Sequence, residues 1–172
     1  MIVPNSLSRS LLTAVCLIAA SSAAFCQQDP LTSSSHQSVL KTQAVEYLYP
    51  EQVSVPAGKT SPVTLHFRIQ QNLHINSHAP RSEYLIPTVF SVPETSGVKL
   101  ADATYPPGTD FILPADPDQK LSVYTGDFTI QAKIVSTPGN HLVEAKLRYQ
   151  ACDQTQCLPP KTIIVPIDVI GK

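Results

Sequence analysis

The chain of 172 residues carries 12 Lys and Arg against 13 Asp and Glu, for a net charge of −1, and its cations form no block. Phosphate backbones are bound by clustered Lys and Arg, so this composition argues against a nucleic-acid partner. Sixteen prolines with only six glycines are typical of a sheet protein with many turns rather than of a helical protein.

The N-terminal segment 1–26 has the residue order of a secretory signal peptide. One arginine precedes an apolar run at 11–20, and small residues follow the run. The run is shorter than the about 20 apolar residues that cross a bilayer, so the protein is predicted to be exported. Cleavage after Ala24 and cleavage after Cys26 both stay open. Lipidation of Cys26 is the less favoured interpretation, because Phe25 is bulky where a lipoprotein signal carries a small residue.

Residues 27–44 are polar and rich in serine, and they are predicted to form a flexible leader. Residues 45–172 contain neither a repeat nor a linker and are predicted to form one domain. Within this domain apolar and polar residues alternate with period two, as in strands that have one face on a core. The alternation is strong at 61–70, 127–135, 141–149 and 162–170, and weaker at 52–56, 85–92, 98–100 and 121–124.

Seven or eight short strands separated by turns with Pro and Gly predict an all-β fold, an immunoglobulin-like β-sandwich. Residues 101–120 interrupt the pattern with four prolines and four aspartates, and they are predicted to be a long irregular loop. This loop contains an apolar island, Phe111-Ile112-Leu113. Two interpretations are open: the island packs onto the sheet under a surface connection, or it forms a lid over a site.

Four cysteines are encoded, and two of them are expected to remain in the exported domain. Cys16 lies in the apolar run of the signal, and Cys26 is either removed or sits at the mature end. Cys152 and Cys157 remain, with four residues between them, at a sheet end or in a loop between two strands. A disulfide here closes a ring of six residues and contributes about 2 kcal/mol in the chain-entropy model. The core disulfide of immunoglobulin domains joins cysteines far apart in sequence, so this pair is a different bond.

The residues alone leave two interpretations of the pair open: a purely structural disulfide, common in exported proteins, and a disulfide that is reduced and re-formed in function. Zinc ligation is a weaker alternative, because structural zinc sites bring a second close pair of ligands and the five histidines are scattered. Neither a metal nor a cofactor is predicted. Asp153 adjoins Cys152 and no histidine is near in sequence, so nothing indicates a strongly acidified thiol.

The segment 149–169, YQACDQTQCLPPKTIIVPIDV, closely resembles the active-site segment of the N-terminal periplasmic domain of the thiol:disulfide interchange protein DsbD. The shared pattern is Tyr-Gln-x-Cys, then Cys-x-Pro-Pro, then a strand ending in Val-Pro. The segment 72–88, NLHINSHAPRSEYLIPT, is similar to a strand of the same family. The likeness covers roughly residues 45–170 of the chain.

The resemblance implies an immunoglobulin-like domain in the periplasm that carries reducing equivalents through a dithiol–disulfide pair, a redox module of the thiol:disulfide oxidoreductase type. Cys157 would form the mixed disulfide with a partner, and Cys152 would resolve it. The family's membrane and thioredoxin-like domains do not follow in this sequence, so the expected donor is a separate membrane thiol transporter or thioredoxin-like protein. The expected acceptors are periplasmic disulfide isomerases or proteins of cytochrome c maturation. An exported interaction module with a purely structural disulfide is the alternative function.

The resemblance also implies a cap, because the family shields its cysteines with a loop that carries an aromatic residue. Phe111 is the candidate for this residue, and Leu113 is the alternative. His74 and Asn76 stand about where tyrosines line the family's site, and with Tyr149 they are expected to border the cysteines. The other interpretation of His74 and Asn76 is that they are polar residues on a strand face whose hydrogen bonds are satisfied.

Overall fold

The structure is a computed structural model that describes residues 43–49, 51–114 and 116–172. The predicted signal peptide and all of the predicted leader up to residue 42 lie outside these ranges. Ala44, at the end of the predicted leader, is buried and belongs to the core. No helix of membrane-spanning length and apolarity occurs in the described part of the chain.

The described residues form twelve strands and a single 3-10 turn, Glu94–Ser96. The strands are β1 (Val45–Leu48), β2 (Glu51–Val55), β3 (Thr60–Ile69), β4 (His74–Asn76), β5 (Val89–Ser91), β6 (Val98–Thr104), β7 (Thr109–Leu113), β8 (Asp116–Tyr124), β9 (Asp127–Ser136), β10 (Gly139–Tyr149), β11 (Ala151–Cys152) and β12 (Lys161–Gly171).

Two four-stranded sheets form a sandwich, with strand orders β1-β3-β9-β6 and β2-β12-β10-β5. Their pairings are antiparallel except for the parallel pair β2–β12. The four strongly alternating segments of the sequence are the long strands β3, β9, β10 and β12, and their alternate residues are buried. Leu65 and Ile130 from one sheet and Ala145 and Val165 from the other are fully buried in one shared core. The predicted all-β, immunoglobulin-like sandwich is therefore confirmed.

A third sheet, with strand order β11-β4-β8-β7, is antiparallel throughout. Its strand β11 begins two residues after the end of β10, so the segment that connects β10 to β12 contributes to this sheet. Both cysteines of the pair lie in that connecting segment. The third sheet is therefore the part of the fold that positions the candidate site.

The prediction of an irregular loop at 101–120 is wrong, because β6 extends to Thr104 and β7 and β8 form a hairpin in which Phe111 lies opposite Leu121. Only β8 pairs with β7, and β8 pairs with β4 only through its last two residues. Proline and charged side chains are tolerated on such edge strands, where few backbone donors need a partner. Most of the Pro and Asp residues that suggested a loop therefore belong to this two-stranded ribbon, whereas Asp102 lies in β6 and Pro106 and Pro107 precede β7.

Candidate functional site

Cys152 and Cys157 face each other across a tight turn and are joined by a disulfide with an S–S distance of 2.03 Å. Their Cα atoms are 3.9 Å apart. On one side of the pair the Leu158 amide donates to the Ala151 carbonyl at 2.8 Å, and on the other the Asp153 amide donates to the Gln156 carbonyl at 3.0 Å. The disulfide thus lies between two backbone hydrogen bonds of a small hairpin.

The side chain of Asp153 closes the turn of this hairpin. Its Oδ1 accepts hydrogen bonds from the backbone amide of Thr155 at 2.7 Å, from the Thr155 hydroxyl at 2.8 Å and from the Gln156 amide at 2.8 Å. This is an Asx-type turn, in which a side-chain oxygen replaces a backbone acceptor. The hydrogen bonds from Thr155 and then those from Gln156 lower the pKa of Asp153. The residue next to Cys152 therefore serves first to shape the loop.

The two cysteines differ in exposure. Cys152 is 2% exposed, whereas Cys157 is exposed together with Pro159 and Pro160, which follow it in the loop. A partner protein can therefore approach Cys157 without any rearrangement of the sheet. Cys152 is held beneath the surface.

His74 is the residue directly opposite Cys152 in the antiparallel pair β4–β11. Directly opposite side chains lie on the same face, with Cβ atoms about 4.5–5.5 Å apart. A turn at Asn72, whose φ of 64° is tolerated by asparagine, leads the chain from β3 into β4. His74 is 2% exposed, and its Nε2 has no hydrogen-bond partner within the described part of the chain. Burial lowers the pKa of His74, and the charge of Asp153 opposes this shift.

The β7–β8 hairpin covers His74 with the ring of Phe111. The two ring centroids are 4.2 Å apart and the planes are tilted by 34°. Beside them lies a cavity of about 270 Å³, whose lining includes Leu73, Thr125 and Gln154 of the cysteine hairpin. The structure thus brings the first cap candidate to the residue that faces Cys152. The second candidate, Leu113, is partly buried and lies opposite Asp116 at the shift in hairpin register.

Asn76 and Gln150 connect β4 to the loop that leaves the cysteine hairpin. Asn76 is fully buried, and its Nδ2 donates to the Ile86 carbonyl at 3.1 Å and to Gln150 Oε1 at 3.3 Å. Gln150 Nε2 in turn donates to the Leu158 carbonyl at 3.2 Å. Gln150 is the glutamine of the Tyr-Gln-x-Cys motif, and its place two residues before Cys152 is the signal that the sequence carries for this bridging role.

The remaining expected border residue, Tyr149, is 1% exposed and belongs to the sandwich core. Asn76 Oδ1 and His74 Nε2 are buried, and neither atom has a hydrogen-bond partner among residues 43–49, 51–114 and 116–172. The interpretation that all hydrogen bonds of His74 and Asn76 are satisfied therefore does not hold for one polar atom of each side chain.

The family described as "Thiol:disulfide interchange protein DsbD, N-terminal" matches residues 44–168. The chain belongs to this family. No curated protein matches the chain. Among solved structures, the chain is similar to the DsbD N-terminal domain of Neisseria meningitidis, whose crystal structure is in the reduced form. The sequence identity is 16%, the match covers 67% of this chain and 82% of that chain, and the TM-score is 0.46.

Membership of the DsbD N-terminal family confirms the resemblance predicted from the cysteine motif and identifies a periplasmic type of thiol:disulfide interchange domain. Within the described ranges, no three His, Cys, Asp or Glu side chains come together in a way that could hold a metal ion. The geometry of this DsbD-type domain suits thiol–disulfide chemistry at the two cysteine sulfurs. One sulfur is on an exposed residue, and the other is on a buried residue that faces an imidazole whose pKa is lowered by burial.

Proposed function

We propose that this protein is a periplasmic carrier that passes reducing equivalents to partner proteins through Cys152 and Cys157. The observation that carries this proposal is the difference in exposure between the exposed Cys157 and Cys152, which is 2% exposed. In a dithiol carrier the accessible thiol attacks the partner and the shielded thiol resolves the intermediate. The predicted signal segment 1–26 accounts for export to the periplasm.

The proposed reaction starts from the reduced pair. The Cys157 thiolate attacks one sulfur of a partner's disulfide, and the partner's other sulfur leaves as a thiolate. Cys152 then attacks the Cys157 sulfur, and the partner's remaining sulfur leaves. Two electrons have passed to the partner, and the carrier holds the Cys152–Cys157 disulfide seen in the structure. The same steps in reverse, with a dithiol donor, reduce the carrier again.

The family suggests the classes of partner. A membrane thiol transporter acting through a thioredoxin-like protein is the proposed donor, and periplasmic disulfide isomerases or proteins of cytochrome c maturation are the proposed acceptors. An exposed cysteine followed by Pro159 and Pro160, on a hairpin at the edge of the third sheet, suits brief contact with several such partners.

Phe111 is proposed as the cap of this site, because its ring covers the imidazole that faces Cys152. His74 and Asn76 are proposed to border the cysteines from β4, and Tyr149 to support them from the core. Leu113 is the alternative cap residue. In the described ranges, the hairpin that carries Phe111 pairs with the rest of the third sheet through the last two residues of β8 alone.

The roles of the two cysteines are tested with Cys152→Ser and Cys157→Ser and oxidised glutathione as the probe. Cys152→Ser should accumulate a stable glutathione adduct at Cys157, detected by mass spectrometry, whereas the reduced wild type should release glutathione and close its own disulfide. Cys157→Ser should form its adduct far more slowly. Equal adduct formation by the two variants would contradict the proposed roles. A wild-type disulfide that never exchanges with glutathione would favour the structural-disulfide module instead.

A further inference from the structure

His74 is a buried titratable side chain that is 2% exposed. Its Nε2 has no hydrogen-bond partner among the described residues of the disulfide-bonded protein. Leaving a buried ring nitrogen unpaired costs free energy, and buried polar groups in folded proteins nearly always have a partner. The unpaired Nε2 of His74 in the oxidised protein therefore points to a hydrogen-bond partner that is present in the reduced protein.

The sheet register identifies that partner. His74 and Cys152 are directly opposite in an antiparallel pair, so their side chains share one face at a Cβ separation of about 4.5–5.5 Å. Reduction breaks the bond to Cys157, which frees the Cys152 sulfur to rotate about χ1 and gives it a proton. We infer that His74 accepts the proton of the Cys152 thiol when Cys152 resolves the mixed disulfide. This inference rests on the proposed function.

The step balances without any further reactant. In the mixed disulfide Cys152 is a thiol, and its proton moves to a ring nitrogen of His74. The Cys152 thiolate attacks the Cys157 sulfur, the new S–S bond forms, and the bond between Cys157 and the partner breaks. The partner's sulfur leaves with the electron pair and takes up the proton from the imidazolium. His74 ends neutral, as it began.

The need for an internal base follows from burial. Burial disfavours a thiolate, so the shielded Cys152 thiol loses its proton to water less readily than the exposed Cys157 thiol. An imidazole that burial keeps neutral near pH 7 is available to take this proton.

The surroundings of the ring also favour a transient imidazolium. Asp153, beside β11, is the charged group whose field raises the pKa of His74. From β7, Phe111 packs against the ring with its plane tilted by 34°. Asp110 of β7, which is paired with an arginine, and Tyr124 of β8, which lies opposite Ile75, alternate to the other face of the sheet. A carboxylate and an aromatic face thus stabilise the charge for the duration of the transfer.

The test uses the reduced full-length exported protein and 5,5′-dithiobis(2-nitrobenzoate), which releases one coloured thiolate when Cys157 attacks and a second when Cys152 resolves. The first phase depends on reagent concentration, whereas the second does not. His74→Gln should leave the first phase unchanged and slow the second by about a hundredfold at pH 7, the low end of general-base contributions. His141→Gln, at the far end of β10, is the matched control and should change neither phase.

The pH profile of the second phase separates proton transfer from a packing role. In the wild type this rate should level off above the pKa of His74, which lies below its ordinary 6.5. In His74→Gln it should rise about tenfold per pH unit up to the pKa of the Cys152 thiol. A plateau in His74→Gln like that of the wild type, or a wild-type rate that itself rises tenfold per unit, would overturn the inference. The wild-type profile decides the question even if the variant does not fold.

Failure of this inference is distinguishable from failure of the carrier function. Both phases of thiolate release from 5,5′-dithiobis(2-nitrobenzoate) occur whether or not the protein equilibrates with glutathione. Unchanged kinetics in His74→Gln would remove only the role of His74, whereas a disulfide that glutathione cannot open would remove the carrier.

Discussion

The ring of His74 lies under the ring of Phe111, with centroids 4.2 Å apart, although the two residues belong to different strands of the third sheet. Because His74 is also the cross-strand neighbour of Cys152, this contact couples the β7–β8 hairpin to the buried half of the cysteine pair. We therefore expect opening of the hairpin to expose Cys152.

Removing the Phe111 ring should expose Cys152. An aromatic pair contributes about 0.5–1.5 kcal/mol, so its loss raises the population of the open hairpin by up to about tenfold. In a Cys157→Ser background, Phe111→Ala should speed alkylation of Cys152 by iodoacetamide by that factor. Ile112→Ala, half exposed on the opposite face of the same strand, is the control and should have no effect. If Leu113→Ala produces the acceleration and Phe111→Ala does not, Leu113 is the cap.

Much of the sandwich could be predicted from the sequence because its long strands have one buried face. Every second residue of β3, β9, β10 and β12 enters the core, and this period is visible in the printed sequence. The strands of the third sheet show no such strong alternation in the sequence. Its strands β4 and β11 have three and two residues, and all five are buried. β7 and the first half of β8 form an edge ribbon, and the prolines in its sequence are typical of a loop.

The candidate site could be predicted only in part. The cysteine motif identified both sulfurs and the family, and the resemblance pointed to Phe111 and His74. The pairing of His74 with Cys152 and the bridge made by Gln150 depend on the register of β4 against the cysteine segment. That register joins residues more than 70 positions apart, and no local pattern encodes it.

Gln150→Ala should destabilise the oxidised protein by about 1–3 kcal/mol, because it leaves the Asn76 amide and the Leu158 carbonyl without the partner they share. Urea unfolding measures this loss. Gln131→Ala removes an exposed hydrogen bond to Thr64 on the outside of the sandwich and should change stability by no more than about 0.5 kcal/mol. Equal effects of the two substitutions would contradict the bridging role of Gln150.

The buried imidazole of His74 should make stability depend on pH. Its pKa in the folded protein is lower than the ordinary 6.5, mainly because of burial. Between these two pKa values the unfolded chain binds more protons than the folded one, so the free energy of unfolding should fall as pH drops below about 6.5. The fall should be complete once pH is below the folded pKa. Urea unfolding of the oxidised protein between pH 7.5 and 5 measures this slope.

Substitution of His74 by glutamine is the control for this pH dependence. His74→Gln should have a shallower slope than the wild type over the same pH range. An unchanged slope in His74→Gln would show that the imidazole is protonated as easily in the folded protein as in the unfolded chain.

The reduction potential of the Cys152–Cys157 pair is the most direct measure of whether these sulfurs serve a carrier. Wild-type protein is equilibrated in glutathione and dithiothreitol buffers, and the fraction of free thiol is read by alkylation and mass spectrometry. We predict a reversible transition of a folded protein at a potential above about −300 mV, in the range of thioredoxins and disulfide isomerases. A potential below about −300 mV, or reduction only on unfolding, would mark a structural disulfide and contradict the account.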